Sequence, residues 1–236
     1  MAKRERNRPA HVTIARTLGV AIVTGDYLPG TTIQGEFDLA DRFGVARNVI
    51  REALRMLTAK GLIESRRKTG TRVRERADWN LLDAEMLGWM FEGEPPLSFV
   101  RALFQLRMIV EPAAAAMAAE CRTARQLSRM GQAMELMTVH GLKDPAGQIA
   151  DEHFHAILLE ATGNELLGSL SGSIASAVRW TTLFKYRSDA LHVDSIPLHQ
   201  ALFEAIARAD ADAACAATVA LIRQAQRDTE VALSQT

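Results

Sequence analysis

A mainly α protein in two parts is what the 236-residue sequence predicts: a small helix–turn–helix unit with a β-hairpin over residues 1–76, then an all-α bundle of about seven helices over 77–236. Three features point there. Apolar residues recur at helical spacing almost everywhere, strict alternation is confined to one stretch near residue 65, and charge is split sharply between the two parts. Residues 1–76 hold 16 Lys+Arg against 8 Asp+Glu, so the remainder of a chain with 28 of each holds 12 against 20. A basic first part and an acidic second part imply a polyanionic partner for the first.

Ile14, Leu18 and Ile22 fall on one side of a first helix that Gly25 can end, and Pro29-Gly30 builds the following turn. Phe37 to Phe43 places Leu39, Ala40 and Phe43 on one side of a second, short helix broken by Gly44. In a third helix Val49, Ala53, Leu54 and Leu57 form the apolar side, while Arg47, Arg51 and Arg55 recur at i, i+4 and i+8 on another. Arg55 reads as a solvated charge. Arg47 and Asn48 occupy the first turn, the end that a helix–turn–helix pushes into the major groove. There Arg can donate two hydrogen bonds to guanine, and Asn can pair with adenine. "LIESRRKTGTRV" then alternates around a basic tip and reads as a two-stranded wing, with Arg66, Arg67, Lys68 and Thr69 placed to touch phosphate or sugar. Double-stranded DNA is the partner these residues fit.

The stretches "GDYLPG", "GVARNVIREAL" and "GLI" together resemble the winged helix–turn–helix of the GntR superfamily. The resemblance implies DNA contacts from Arg47 and Arg51, with Arg67 on the wing tip. Three departures stand out. Ile33-Gln34 replaces the family's Leu-Pro, Ala46 replaces a phosphate-binding Ser or Thr, and Phe37 stands where some members carry an arginine.

Beyond the charged join near residue 77, "WNLLDAEMLGWM" is amphipathic, with Leu82, Met86 and Met90 at helical intervals, and Pro95-Pro96 punctuates it. Helical periods follow over roughly 97–121, 124–139, 146–162, 164–188, 196–208 and 211–233. Asp144-Pro145 reads as N-cap and first helical residue, Gly163-Asn164 as a stop, and Asp210 as another start.

One turn of helix separates Asp151 from His155, which puts both on one face, with His153 nearly opposite. A carboxylate and an imidazole so placed can share a divalent cation, and His199 is the natural third ligand. Spacing alone favours a plain Asp151–His155 hydrogen bond and a satisfied buried His199, since three scattered ligands make no metal signature. Arg107 stands four residues before Glu111 in an apolar run, which reads either as an intrahelical ion pair at a surface or as a buried guanidinium in need of an anion. Arg179 and Trp180 could add a donor and a stacking wall.

"RMIVEPAAAAMAAE", "DEHFHAILLEATGN" and "HQALFEAIARAD" resemble the FCD ligand-binding domain of the FadR-type branch of that superfamily. "WNLLDAEMLGWM" with "VEPA" is similar, more narrowly, to repressors of galactonate and related sugar-acid operons. The resemblance implies a homodimeric repressor on a palindromic operator, released by a small carboxylate effector held by Arg107, Asp151, His155 and His199, to which the placement of Arg179 and Trp180 adds two candidate effector contacts. It also implies zinc or nickel on Asp151, His155 and His199, although Leu221 replaces the expected fourth ligand. A metal-free pocket using the same residues, and a metal-dependent enzyme built on that trio, are the alternatives. Against the enzyme, the chain has no H-E-x-x-H, G-x-S-x-G or Walker loop. Cys121 and Cys215, far apart in alanine-rich surroundings, suggest no disulfide framework. With no signal-peptide pattern and no long uninterrupted apolar run, the expected location is cytoplasmic, away from the membrane.

Overall fold

A computed structural model of the protein describes residues 9–66, 70–187 and 193–234. Two compact units divide the chain, residues 1–93 and 94–236.

The first unit begins with α1 (Ala10–Val23), β1 (Thr32–Ile33), α2 (Glu36–Phe43) and α3 (Arg47–Ala59). Gly44 caps α2 in the left-handed conformation (φ 63°), which a Cβ would disfavour, so the tight turn into α3 rests on this glycine. Ile50, Ala53, Leu54 and Leu57 form the buried stripe of α3 and meet Ile14, Leu18 and Ile22 of α1 within one small core. Ile50, one position beyond the expected Val49, is the buried residue of the first turn; Val49 is half-buried.

The wing comprises β2 (Ile63–Arg66) and β3 (Gly70–Val73), paired antiparallel with Ser65 opposite Thr71. It has a third strand that the sequence does not announce. Thr32–Ile33, part of the expected turn, pairs antiparallel with β3, giving the order β1-β3-β2 and burying Ile33. Two residues are too short for alternation to register, and the backbone bonds of β3 supply the pairing.

A short helix, α4 (Ala84–Met90), completes this unit. The sequence groups residues 77–93 with the bundle, whereas the structure packs α4 on α1, so close that a Cβ on Gly19 would overlap the Trp89 ring. Lys60, buried at the end of α3, reaches Asp83 (2.7 Å) and Glu85 (2.8 Å), and Asp83 also caps α4. Apolar periodicity shows that a helix must be buried but not against which neighbour.

Seven helices make up the described part of the second unit: α5 (Leu97–Cys121), α6 (Ala124–His140), α7 (Pro145–Glu160), α8 (Glu165–Ser169), α9 (Ser171–Lys185), α10 (Ile196–Ala207) and α11 (Ala211–Ser234). The number matches expectation but the set differs, because 164–188 splits into α8 and α9 while α4 belongs to the first unit. Asp144 and Asp210 cap α7 and α11 through their side chains as the sequence suggests; Asn164 instead starts α8 by accepting from Leu166 and Leu167. Buried Ala114, Ala115, Ala118 and Ala119 leave α5 slim enough for close approach, and Phe154 fills the centre of the bundle. By length and composition α5 could cross a membrane, yet it carries a buried Arg107–Glu111 pair and packs along α11.

Candidate functional site

Four helices of the bundle converge on one buried polar cluster. From α7, Asp151 and His155 point inward and His153 outward. From α10 comes His199, whose Nδ1 lies 2.9 Å from the Ser195 carbonyl. From α5 come Arg107 and Glu111, joined by a 2.6 Å bond from Nε to Oε1. The second Glu111 oxygen lies 2.7 Å from His155 Nδ1. From α9, the Thr182 hydroxyl donates to Asp151 Oδ2 at 3.2 Å. Arg107, Glu111, Asp151, His155 and His199 are all essentially shielded from solvent.

Proton placement follows from these partners. A carbonyl only accepts, so His199 Nδ1 donates to Ser195, and His155 Nδ1 donates to ionised Glu111. Both Nε2 atoms then face Asp151 Oδ1, at 3.0 Å for His199 and 3.6 Å for His155. Burial alone would raise both carboxyls, but Arg107 and His155 outweigh it and hold Glu111 at about 2, and His199 and His155 do the same for Asp151, also at about 2. Both are carboxylates at neutral pH.

Asp151, His155 and His199 present ligand atoms within 4.8 Å of one another. Two ligands on one ion with bonds of roughly 2.1 Å lie roughly 3.0–3.4 Å apart, close to the Nε2–Oδ1 separations observed. Acceptors behind both imidazoles, Glu111 and the Ser195 carbonyl, are the outer-shell arrangement a metal-bound histidine needs. The three residues therefore fit a divalent ion. Buried Leu221 lines the same cavity and supplies no fourth ligand.

The cavity is about 30 Å³ and is lined by Arg107, Asp151, His155, Thr182, Lys185 and His199, among others. It has room for an ion or a water; binding sites for small organic molecules span roughly 300–1,000 Å³. Among the described residues, no hydrogen bond engages the terminal nitrogens of Arg107. Lys185, by contrast, is matched by Asp228 at 2.8 Å. Arg179 and Trp180 do not reach the cavity. Arg179 is exposed and 3.5 Å from Glu152, and Trp180 beside it is half-buried. The face of α9 turned inward carries Val178, Thr181, Thr182 and Lys185, at i, i+3, i+4 and i+7, and the two expected residues lie off that stripe.

Sequence reasoning missed Thr182, Lys185 and Ser195, and read Glu111 only as a partner of Arg107. A Thr and a Lys on the apolar stripe of α9, and a Ser four residues before His199, were the available signals.

In the first unit, Arg47 and Asn48 open α3, whose N-terminus is exposed. Glu36 Oε2 lies 3.2 Å from Arg51 and 3.8 Å from Arg47. Bonding to Glu36 raises the Arg51 pKa further, so it stays charged. Asn48 Oδ1 accepts from the Val49 amide. Arg66 ends β2, and Arg67, Lys68 and Thr69 lie outside the described residues.

Known proteins match both units. The model for "Bacterial regulatory proteins, gntR family" matches residues 11–73, and that for the FCD domain matches residues 102–224. The galactonate operon transcriptional repressor of Escherichia coli K12 is 35% identical over 215 residues, covering 91% of this chain and 94% of that one. The chain belongs to the GntR family. It is a transcriptional regulator of the FadR type, and its relatives are regulators and not enzymes, which sets aside catalysis by the Asp–His–His trio. The uncharacterised regulator YieP of the same organism is 34% identical, covering 89% of this regulator and 91% of itself. The solved structure of Lar, described as controlling expression of the Listeria monocytogenes agr system, shares the fold with a TM-score of 0.63 at 17% identity, covering 95% and 98% of the two chains.

Proposed function

We propose that this regulator is a homodimeric, cytoplasmic repressor of a sugar-acid catabolic operon, released from a palindromic operator by a small carboxylate such as an aldonate. Supporting this, the E. coli relative is named for the galactonate operon. The observation that carries it is Arg107: a buried guanidinium with its terminal nitrogens uncommitted, facing a cluster of carboxylate and imidazole groups. Those nitrogens would hold the effector carboxylate, and Thr182, His155 and His199 would meet its hydroxyls.

Charge supports a metal in the same site. Arg107 is offset by Glu111 and Lys185 by Asp228, leaving the Asp151 carboxylate, which would repel an incoming acid. A divalent ion held by Asp151, His155 and His199 would reverse that balance and offer open positions to effector oxygens. Glu111 and the Ser195 carbonyl occupy both Nδ1 atoms, which leaves both Nε2 atoms directed at that point. Because the cavity is about 30 Å³, effector entry requires it to widen, and that change is what can be linked to DNA affinity.

Thermal-shift titration with aldonates, uronates and dicarboxylates, with and without chelator, tests this reading. An aldonate should raise the melting temperature, chelator should diminish the rise, and the same acid should lower affinity for a selected operator. Absence of any acid-dependent shift, with metal supplied, would refute the pocket assignment.

A further inference from the structure

Phe37 is the most conspicuous apolar residue on the DNA-facing side of the first unit. The residue is 67% exposed, whereas Leu39, two residues on in α2, is fully buried. Phe37 therefore contributes little to the core. The Arg47 guanidinium lies 3.7 Å from its ring centroid, a stacking contact, and Glu36 beside it holds Arg47 and Arg51. An aromatic ring from the first turn of α2 thus lies against an arginine from the first turn of α3, the helix that a helix–turn–helix lays in the major groove.

We infer that Phe37 reads a thymine next to the guanine bound by Arg47, by packing the free side of its ring on the thymine C5 methyl. This rests on the DNA-binding reading above. In the major groove the thymine methyl is the one apolar mark on the base edges, and Phe is among the side chains that contact it. Arg47 stacked on the ring is held extended toward guanine O6 and N7, so one composite side chain reads two neighbouring bases. An apolar protein partner fits this ring less well, because Arg47 and Arg51 flank it and would have to be desolvated.

The test uses the full-length protein and an operator selected from random duplexes. Deoxyuridine then replaces thymine one position at a time in both half-sites, removing only the methyl. At one thymine beside a guanine, wild-type affinity should fall about fourfold per half-site, the worth of one buried methyl-sized group. Phe37→Ala should bind more weakly overall and lose no further affinity at that position. Phe37→Leu should keep the methyl penalty while relaxing the guanine preference. The inference is overturned if wild type tolerates uracil everywhere, or if Phe37→Ala keeps the full uracil penalty, which would leave Phe37 as a support for Arg47 alone. A wild-type protein that enriches no duplex at all would defeat the DNA-binding reading itself, and this inference with it.

Discussion

At the scale of single residues, Glu111 changes what a substitution at Arg107 means. Read from sequence alone, Arg107→Ala is a clean way to blind the regulator to its effector. In the structure it would strand a buried carboxylate between His155 and an empty space. Breaking such a pair costs about 3–5 kcal/mol, so Arg107→Ala should lower the unfolding free energy of the bundle by that amount in denaturant titration. Arg107→Lys keeps the charge but loses the planar fork, and should weaken the effector response about tenfold or more with little change in stability. The two depressed carboxyls give a pH signature whose sign is fixed. Glu111 and Asp151 fall from 4.5 and 3.8 to about 2, so each binds protons less readily folded than unfolded. Their contribution is complete above roughly pH 5 and is lost as pH falls toward about 2. Melting temperature against pH should drop across that window in wild type, and Glu111→Gln should lessen the drop.

Two helices carry predictions of their own. Ala46 occupies the N-cap of α3 with no side-chain hydrogen bond to the first turn. Ala46→Ser should satisfy one of those amides and stabilise the first unit by about 1 kcal/mol, checked by urea unfolding. On α11, Leu221 faces the cavity holding Asp151, His155 and His199. Leu221→His should add a fourth nitrogen and tighten divalent-metal binding by about tenfold or more, read by competition with a chromophoric chelator; unchanged affinity would place the trio outside any metal site. The helices were largely legible from spacing, because 3.6-residue periodicity records which side of each one is buried. Their assignment to neighbours was not, as α4 on α1 and the split between α8 and α9 show.

For the whole molecule, the charge split concentrates the attraction for a polyanion in the first part. Sedimentation should give twice the 25.9 kDa chain mass. Operator affinity should fall linearly on a log–log salt plot, by about 0.9 per phosphate neutralised. Lys68→Ala should reduce that slope by about one while leaving sequence preference intact, and Arg47→Ala should erase the preference. Effector should weaken operator binding by roughly 5- to 150-fold, the usual range of coupling between sites.

By itself the sequence determined the helical faces, the basic unit followed by the acidic one, the caps at Asp144 and Asp210, and the shared face of Asp151 and His155. All are properties of one segment or of composition, and short-range geometry fixes them. Tertiary structure alone decided that Glu111 links Arg107 to His155, that Thr182, Lys185 and Ser195 line the cavity while Arg179 and Trp180 do not, and that Thr32–Ile33 forms a strand. Each of those depends on which elements meet and at what depth, a matter settled by close packing of side chains far apart along the chain.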